Sequence, residues 1–428
     1  MATETGLSDV FPLDSRLNER GRLEVGGCDA IELAREFGTP AYVVAEDDLR
    51  ARARAFLAAG REAGHPDFNV VFASKAFPCT AVLGLFADEG LWCDVASGGE
   101  LHLALRAGFP AERLVLHGNA KSEAELRTAL EHGVGLIVLD NLDEIDRLQR
   151  LVASSEATDG GARQVLLRVT PDVRGETHEK ISTGQANSKF GFSMNDVRSA
   201  INLVQATDGL ELAGLHAHIG SQLLELDPFR REAAELAGLG DFAVWDVGGG
   251  LGVRYTSDQP APPAIDDYVA TVLEAAAEHG MAEPGKRLLI EPGRSLCANA
   301  CVTLYTVESV KQNVSRWVAV DGGMSDNLRP MMYGARYEAH VADRFDGTIS
   351  CELAGKHCES GDVIVRDAWL ADPAPGDVIA TPVTGAYGYS LANNYNGVPR
   401  PPVVFCKDGT ARVVVRRETL EDLQSRDV

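Results

Sequence analysis

From Asn69 onward the chain repeats one pattern. A short β-branched or apolar run is followed by a polar turn, and then by roughly 10 to 15 residues whose apolar positions recur at helical spacing. The runs predict strands at Asn69–Ser74, Leu91–Ala96, Arg113–His117, Gly135–Asp140, Gln164–Val169, Leu212–His218, Ala243–Val247 and Arg287–Glu291. The stretches between them predict amphipathic helices, among them Cys79–Glu89, Gly98–Ala107, Ser122–His132, Leu142–Ala153 and Ile265–His279. Eight strand–helix units over about 220 residues match a (β/α)8 barrel, which takes about 250. A doubly wound open sheet usually stops at fewer strands. The fold class read from the pattern is therefore α/β, a (β/α)8 TIM-type barrel with a second domain.

After Pro292 the texture changes. Short runs at Val302–Val310, Trp317–Val320, Val363–Arg366, Val378–Ala380, Pro402–Cys406 and Ala411–Arg416 alternate with Gly, Asp and Pro turns, as in an antiparallel β domain. A similar patch surrounds Arg20–Gly26, so the C-terminal β domain is expected to borrow the N-terminus. The expected division is a barrel over residues 36–291 and a β domain over 1–35 and 292–428. The Pro-rich stretch Ser257–Pro263 reads as a loop inside the barrel region.

Composition narrows the class. The 428 residues carry 40 Lys+Arg against 63 Asp+Glu, a net charge of −23, with 45% hydrophobic and 24% charged residues. That balance is globular and excludes disorder, collagen and coiled coil. So acidic a surface repels nucleic-acid backbones and anionic lipid, and neither partner is expected. An anionic ligand must be captured by a few placed donors. No apolar run approaches the roughly 20 residues of a membrane helix, and Met1 to Arg16 is polar, with no signal-peptide core. The eight cysteines are scattered without a CxxC, as expected of free thiols in the cytoplasm.

Barrel chemistry sits at the C-terminal ends of strands. Those positions here hold Ser74-Lys75, Asp94, His117-Asn119, Asp140-Asn141, Arg168, His216-Ala217-His218, Asp246 with Gly248-Gly249-Gly250-Leu251-Gly252, and Glu291-Pro292-Gly293-Arg294. Lys75 would be solvated at an ordinary strand end. In a barrel mouth its desolvated amine could form a Schiff base. The glycine cluster breaks the GxGxxG pattern, so it reads as a tight turn or as backbone N–H groups approaching a phosphate. Arg294 adds a forked donor and Glu291 a carboxylate beside that loop. His216 and His218 share a strand face, which suits a metal or an imidazole stacked on a flat ring, but no further ligand cluster accompanies them. His357-Cys358-Glu359-Ser360-Gly361-Asp362 by itself reads as a surface turn, and no Ser/His/Asp or Cys/His nucleophile arrangement is visible.

Taken together, Ala73-Ser74-Lys75-Ala76-Phe77, Cys93-Asp94-Val95-Ala96-Ser97-Gly98-Gly99-Glu100-Leu101, Leu116-His117-Gly118-Asn119, His218-Ile219-Gly220-Ser221-Gln222, Gly248–Gly252, Glu291–Arg294, Val320–Gly334, His357–Asp362 and Gly385–Asn396 carry a resemblance. The chain resembles the pyridoxal-phosphate-dependent diaminopimelate decarboxylases, in the alanine-racemase-like class that also holds the ornithine and arginine decarboxylases. The runs Val320 to Pro330 and Cys358 to Asp362 look like the diaminopimelate branch. The resemblance implies a carboxy-lyase that converts meso-2,6-diaminopimelate to L-lysine and CO2, the last step of lysine biosynthesis, with pyridoxal 5'-phosphate as cofactor and no metal. It implies Lys75 as the cofactor's covalent anchor and His218 as the ring-stacking imidazole. Asp94, Ser221, Gly250, Glu291, Gly293, Arg294 and Tyr387 become cofactor contacts, with Glu291 on the ring nitrogen. Arg294, Arg329, Tyr333, Glu359 and Tyr387 become substrate contacts, with Glu359 reading the distal ammonium, and Cys358 the proton donor. It further implies a homodimer in which Cys358 and Glu359 reach the partner's cofactor. One departure stands out: between Gln222 and Gly248 only one short helix, about Pro228–Ala237, is predicted where the family usually has a longer segment. A same-fold decarboxylase of another diamino acid and a non-catalytic pyridoxal-phosphate carrier are the alternative readings.

Overall fold

Eight parallel strands form where the apolar runs predicted them: β1 Phe68–Ala73, β2 Trp92–Val95, β3 Leu114–Leu116, β4 Leu136–Leu139, β5 Arg163–Thr170, β6 Leu210–Ala217, β7 Val244–Asp246 and β8 Arg287–Ile290. Each pairs with its neighbour in chain order, β8 returns to β1, and the sheet closes as a barrel. The computed structural model describes residues 7–154, 162–173 and 188–428. Among them no helix is long and apolar enough to cross a membrane.

The barrel interior is layered by the two-residue period of a strand. Its apolar floor holds Val71, Val115, Leu136, Val138, Leu166, Ala213, Val244 and Leu289. Two residues beyond five of these, on the same face, stand His117, Asp140, Arg168, Asp246 and Glu291, all buried. In β6 the step is three residues, from Ala213 to His216, because the pairing with β5 slips between Leu212 and Gly214. Gly214 is the residue that permits this, since a Cβ there would stand 1.6 Å from the Val244 carbonyl oxygen. The floor provides the hydrophobic stabilisation, and the ring of polar groups above it provides the chemistry.

Helices follow the strands as expected. Ser122 caps Glu123–His132 through a reciprocal pair with Glu125, and Gly133 ends that helix in the left-handed conformation. The short segment after Gln222 holds one helix, Asp227–Ala237, with Pro228 in its first turn.

The chain divides into two compact units, one of residues 52–252 and 262–293, the other of 1–51, 253–261 and 294–428. This corrects the expected boundary at residue 36. The strand Ala41–Ala45 pairs with Cys301–Gln312 and Val403–Lys407, so residues 36–51 belong to the β unit. The stretch 253–261, expected inside the barrel region, also groups with the β unit. That unit is a mostly antiparallel sheet that includes Arg316–Val320, Ile349–Ala354, Val363–Leu370, Val378–Pro382 and Thr410–Val415. The patch near Arg20 forms a separate three-stranded sheet of Arg16–Leu17, Leu23–Val25 and Cys28–Asp29.

Candidate active site

Lys75 lies in a single 3-10 turn, Ser74–Ala76, directly after β1. Its side chain is 43% exposed, and its amine contacts the buried carboxylate of Asp94 at the end of β2. Beside this strand end Gly293 is held close to the turn, where a Cβ would stand 3.0 Å from that of Ala73.

Deeper in the same barrel mouth, the donor atoms of His117, His216, Asp246 and Glu291 lie within 4.8 Å of one another. Glu291 Oε1 is 2.6 Å from His117 Nε2, and Oε2 is 3.3 Å from His216 Nε2. Burial disfavours ionisation of Glu291, but the two imidazoles outweigh it and hold its carboxyl well below the usual range. Asp246 is pushed well above that range, first by desolvation and then by the charge on Glu291. Of the two carboxyls, Glu291 is the one whose ionised form the surroundings favour. His216 is driven down to about 4 by burial and is neutral near pH 7. This set has the donors of a metal site, but the imidazole Nε2 atoms already face a carboxylate at hydrogen-bond distance.

His218 is fixed from below. Its Nδ1 accepts from the Gly249 N–H at 3.2 Å, which leaves the ring proton on Nε2. Burial lowers it to about 3, so the ring is neutral. The glycine loop packs so tightly that side chains are excluded: a Cβ on Gly249 would stand 2.0 Å from the Glu291 carbonyl oxygen, and one on Gly250 2.6 Å from that of Gly220. Ser221 lies in the adjoining turn and is partly exposed.

The remaining expected residues belong to the β unit. Arg294 and Arg329 are both buried, and aromatic rings surround them. The Arg294 guanidinium lies 4.9 Å over the Tyr387 ring and donates to the Tyr255 hydroxyl. That of Arg329 lies 4.7 Å over Tyr255 and donates to the Tyr337 hydroxyl at 2.5 Å. Burial alone would lower the Arg329 pKa; the surrounding phenols outweigh it and keep the group charged. The sequence reading missed Tyr255 and Tyr337 and had named Tyr333. Tyr333 ends the helix Arg329–Tyr333, is partly exposed, and is not the tyrosine that holds Arg329. Cys358 and Glu359 are exposed on a turn, and the other seven cysteines are buried.

A lysine amine at a barrel rim, a neutral imidazole, a glycine loop and an ionised buried carboxylate is a donor set for a phosphorylated aromatic aldehyde. The family model that matches residues 47–298 is the pyridoxal-dependent decarboxylase, pyridoxal binding domain. The diaminopimelate decarboxylase of Bacillus subtilis is 46% identical, over 97% of this chain and 97% of its own. The chain belongs to the diaminopimelate decarboxylases. The Actinosynnema pretiosum diaminopimelate decarboxylase is 47% identical, covering 100% of this chain and 96% of its own. Among solved structures, that of the M. jannaschii diaminopimelate decarboxylase in complex with L-lysine matches with a TM-score of 0.91 at 32% identity, over 97% of this chain and 98% of that one. The barrel-mouth residues His117, His216 and Asp246 had been visible in the sequence only as separate strand ends. A strict two-residue step from each apolar floor position would have grouped His117, Asp246 and Glu291.

Proposed function

We infer that this decarboxylase uses pyridoxal 5'-phosphate to convert meso-2,6-diaminopimelate to L-lysine and CO2, the last step of lysine biosynthesis. The observation that carries the reading is a reachable Lys75 amine after β1 and, at the end of the neighbouring β8, a Glu291 carboxylate that two imidazoles keep ionised. These residues fit the cofactor by their chemistry: an amine for its aldehyde, a neutral His218 ring for its face, and a fixed negative charge for a protonated ring nitrogen. When bound, the cofactor supplies a conjugated ring that accepts the electron pair left by the departing carboxylate.

The chain's own residues do the rest. Lys75 anchors the cofactor, and Asp94, one hydrogen bond away, orients that amine. Glu291 would hold a proton on the ring nitrogen, because the neighbouring imidazoles favour its ionised form, while burial favours the neutral form of Asp246. On the barrel unit Gly250, Gly293 and Ser221 would hold the phosphate, and the family resemblance assigns Tyr387 to the cofactor as well. Cys358 holds the proton delivered to the α-carbon, general-acid work worth about 10²–10⁴-fold. Arg329, with Arg294 and Tyr333 nearby in sequence or space, takes the distal carboxylate, and Glu359 takes the distal ammonium. Among the described residues no carboxylate pairs with the buried Arg329, so the substrate brings the counter-charge. Cys358 and Glu359 act at the partner's cofactor in a homodimer. The free cysteines suit a reducing compartment, and we place the enzyme in the cytoplasm.

The test is CO2 and lysine release by the cofactor-loaded protein on meso-diaminopimelate, ornithine, arginine and lysine, with borohydride trapping and peptide mapping. The expected result is turnover of meso-diaminopimelate alone and a label on Lys75. Faster release from ornithine or arginine overturns the substrate, and a label without CO2 from any substrate overturns the enzyme.

A further inference from the structure

The turn that carries Cys358 has no regular secondary structure to hold it, yet one buried carboxylate organises the backbone on both of its sides. Asp362, whose side chain is 1% exposed, accepts three hydrogen bonds. Its Oδ1 takes the Met324 N–H at 2.7 Å, and its Oδ2 takes the His357 N–H at 2.9 Å and His357 Nδ1–H at 2.8 Å. Two glycines make room for it. A Cβ on Gly323 would stand 2.5 Å from a carboxylate oxygen, and one on Gly355 2.1 Å. Segments 321–327 and 355–357 therefore close around a single acceptor, and no larger residue fits at either glycine.

Backbone hydrogen bonds close the turn itself. The Asp362 N–H donates to the Glu359 carbonyl oxygen at 3.1 Å, and the Glu359 N–H to that of His357 at 2.8 Å. On the other side, the Cys358 N–H donates to Asn396 Oδ1 at 2.9 Å. Asn396 sits at φ +54°, a left-handed conformation that asparagine tolerates well. The neighbouring Tyr395 ring stacks on His357, with centroids 5.9 Å apart and planes at 19°. His357 Nε2 is buried without a hydrogen-bond partner among the described residues, and Nδ1 carries the proton that points at Asp362.

We propose that Asp362 and Asn396 are positioning residues that together fix where the Cys358 thiol and the Glu359 carboxylate are presented. The proposal rests on the reading of Cys358 as proton donor. The physical requirement at residue 362 is an acceptor-only group. Three N–H donors converge on it, so an amide of the same shape must turn its NH2 against at least one of them. At residue 396 the requirement is a side-chain oxygen on a left-handed backbone, which Asp also meets and Ala does not.

The experiment compares Asp362→Asn, Asn396→Ala and Asn396→Asp with wild type and Cys358→Ala as cofactor-loaded enzymes. Cofactor affinity, kcat and KM are measured on meso-diaminopimelate. The configuration of deuterium in lysine formed in D2O reads which face is protonated, and the alkylation rate of Cys358 reads its presentation. Seven buried cysteines leave that alkylation signal to one thiol. Asp362→Asn is expected to lower kcat tenfold or more, to scramble the deuterium configuration and to change the alkylation rate, with cofactor affinity within twofold. Asn396→Ala should show the same signature at about threefold or more, and Asn396→Asp should restore it to within twofold. If Asp362→Asn does not fold, the Asn396 pair, on an exposed residue, decides the matter. Wild-type stereochemistry and kcat in folded Asp362→Asn or in Asn396→Ala overturn the positioning role. Full activity in Cys358→Ala overturns the proton-donor reading instead.

Discussion

Arg329→Met removes a guanidinium that is 5% exposed and keeps much of the stem's volume. Among the described residues no carboxylate pairs with this cation; the Tyr337 hydroxyl lies at 2.5 Å and the Tyr255 face at 4.7 Å. A substrate carboxylate bound there gains a charged, forked pair in a dry setting. Truncating one partner of such a pair costs about 2–5 kcal/mol, which at about 1.4 kcal/mol per tenfold is a loss of about 30- to 4,000-fold in kcat/KM for meso-diaminopimelate. Tyr337→Phe deletes a single orienting hydrogen bond and should cost about 1 kcal/mol, or about fivefold. Lysine lacks the distal carboxylate, so its inhibition constant should change little in either variant. Stability should move differently from activity. Replacing a buried cation with an apolar side chain is often neutral or stabilising, and no carboxylate among the described residues pairs with Arg329, so the urea midpoint of Arg329→Met should match or exceed wild type. The assay is kcat/KM for the substrate beside lysine inhibition and urea unfolding, in all three proteins. Equal losses for substrate and lysine, together with a lower midpoint, would show that Arg329 is scaffold and would refute the argument.

Other expectations follow from buried groups. Glu232 on the helix Asp227–Ala237 is fully buried, and neither carboxyl oxygen has a hydrogen-bond partner among the described residues, so Glu232→Met should stabilise the fold by about 1–3 kcal/mol in urea. Desolvation raises its folded pKa well above 4.5, so wild-type stability should fall as pH rises past 4.5 toward that raised value, and this slope should be weaker in the variant. His216 and His218 titrate near 4 and 3 when folded against 6.5 as free groups, and the unfolded chain therefore binds more protons between those values. Their contribution is complete above pH 6.5 and is lost on acidification, by up to about 2.7 kcal/mol per pH unit; urea midpoints across that range check it, and His218→Gln should halve the slope. Mixing inactive Lys75→Ala and Cys358→Ala subunits under exchange should restore activity in hybrid dimers, and no recovery with exchange confirmed by mass spectrometry would refute a shared site.

The barrel was legible because its information is local. Each strand is an apolar run ended by a turn, and all eight fell within two residues of the expected bounds at each end. The boundary at residue 36 failed for the converse reason. Ala41–Ala45 reads AYVVA, as apolar as any barrel strand, and only its partners at 301–304 and 403–406 assign it to the other sheet. The run Ile349–Ala354 was missed because its alternation is diluted by Ser350, Cys351 and Glu352.

The site shows the same division. Lys75, His218, Gly250 and Glu291 stood out because their neighbours along the chain mark a strand end. The pairing of Glu291 with His117 and His216 could not be read that way, since it depends on which strand ends face one another across a closed barrel. Nor could the bulge that moves His216 inward by one extra residue, which becomes visible only once β5 and β6 are paired. Tyr255 and Tyr337 are the clearest case. One lies in a loop and the other follows a five-residue helix, and neither has a periodic context to mark it. Their hydroxyls and ring faces nonetheless surround two buried guanidiniums, and those around Arg329 keep it charged. Residues that do chemistry carry local signatures because turns and strand ends must shape them. Residues that hold those groups in place are dictated by packing, and become readable only when the chain is folded.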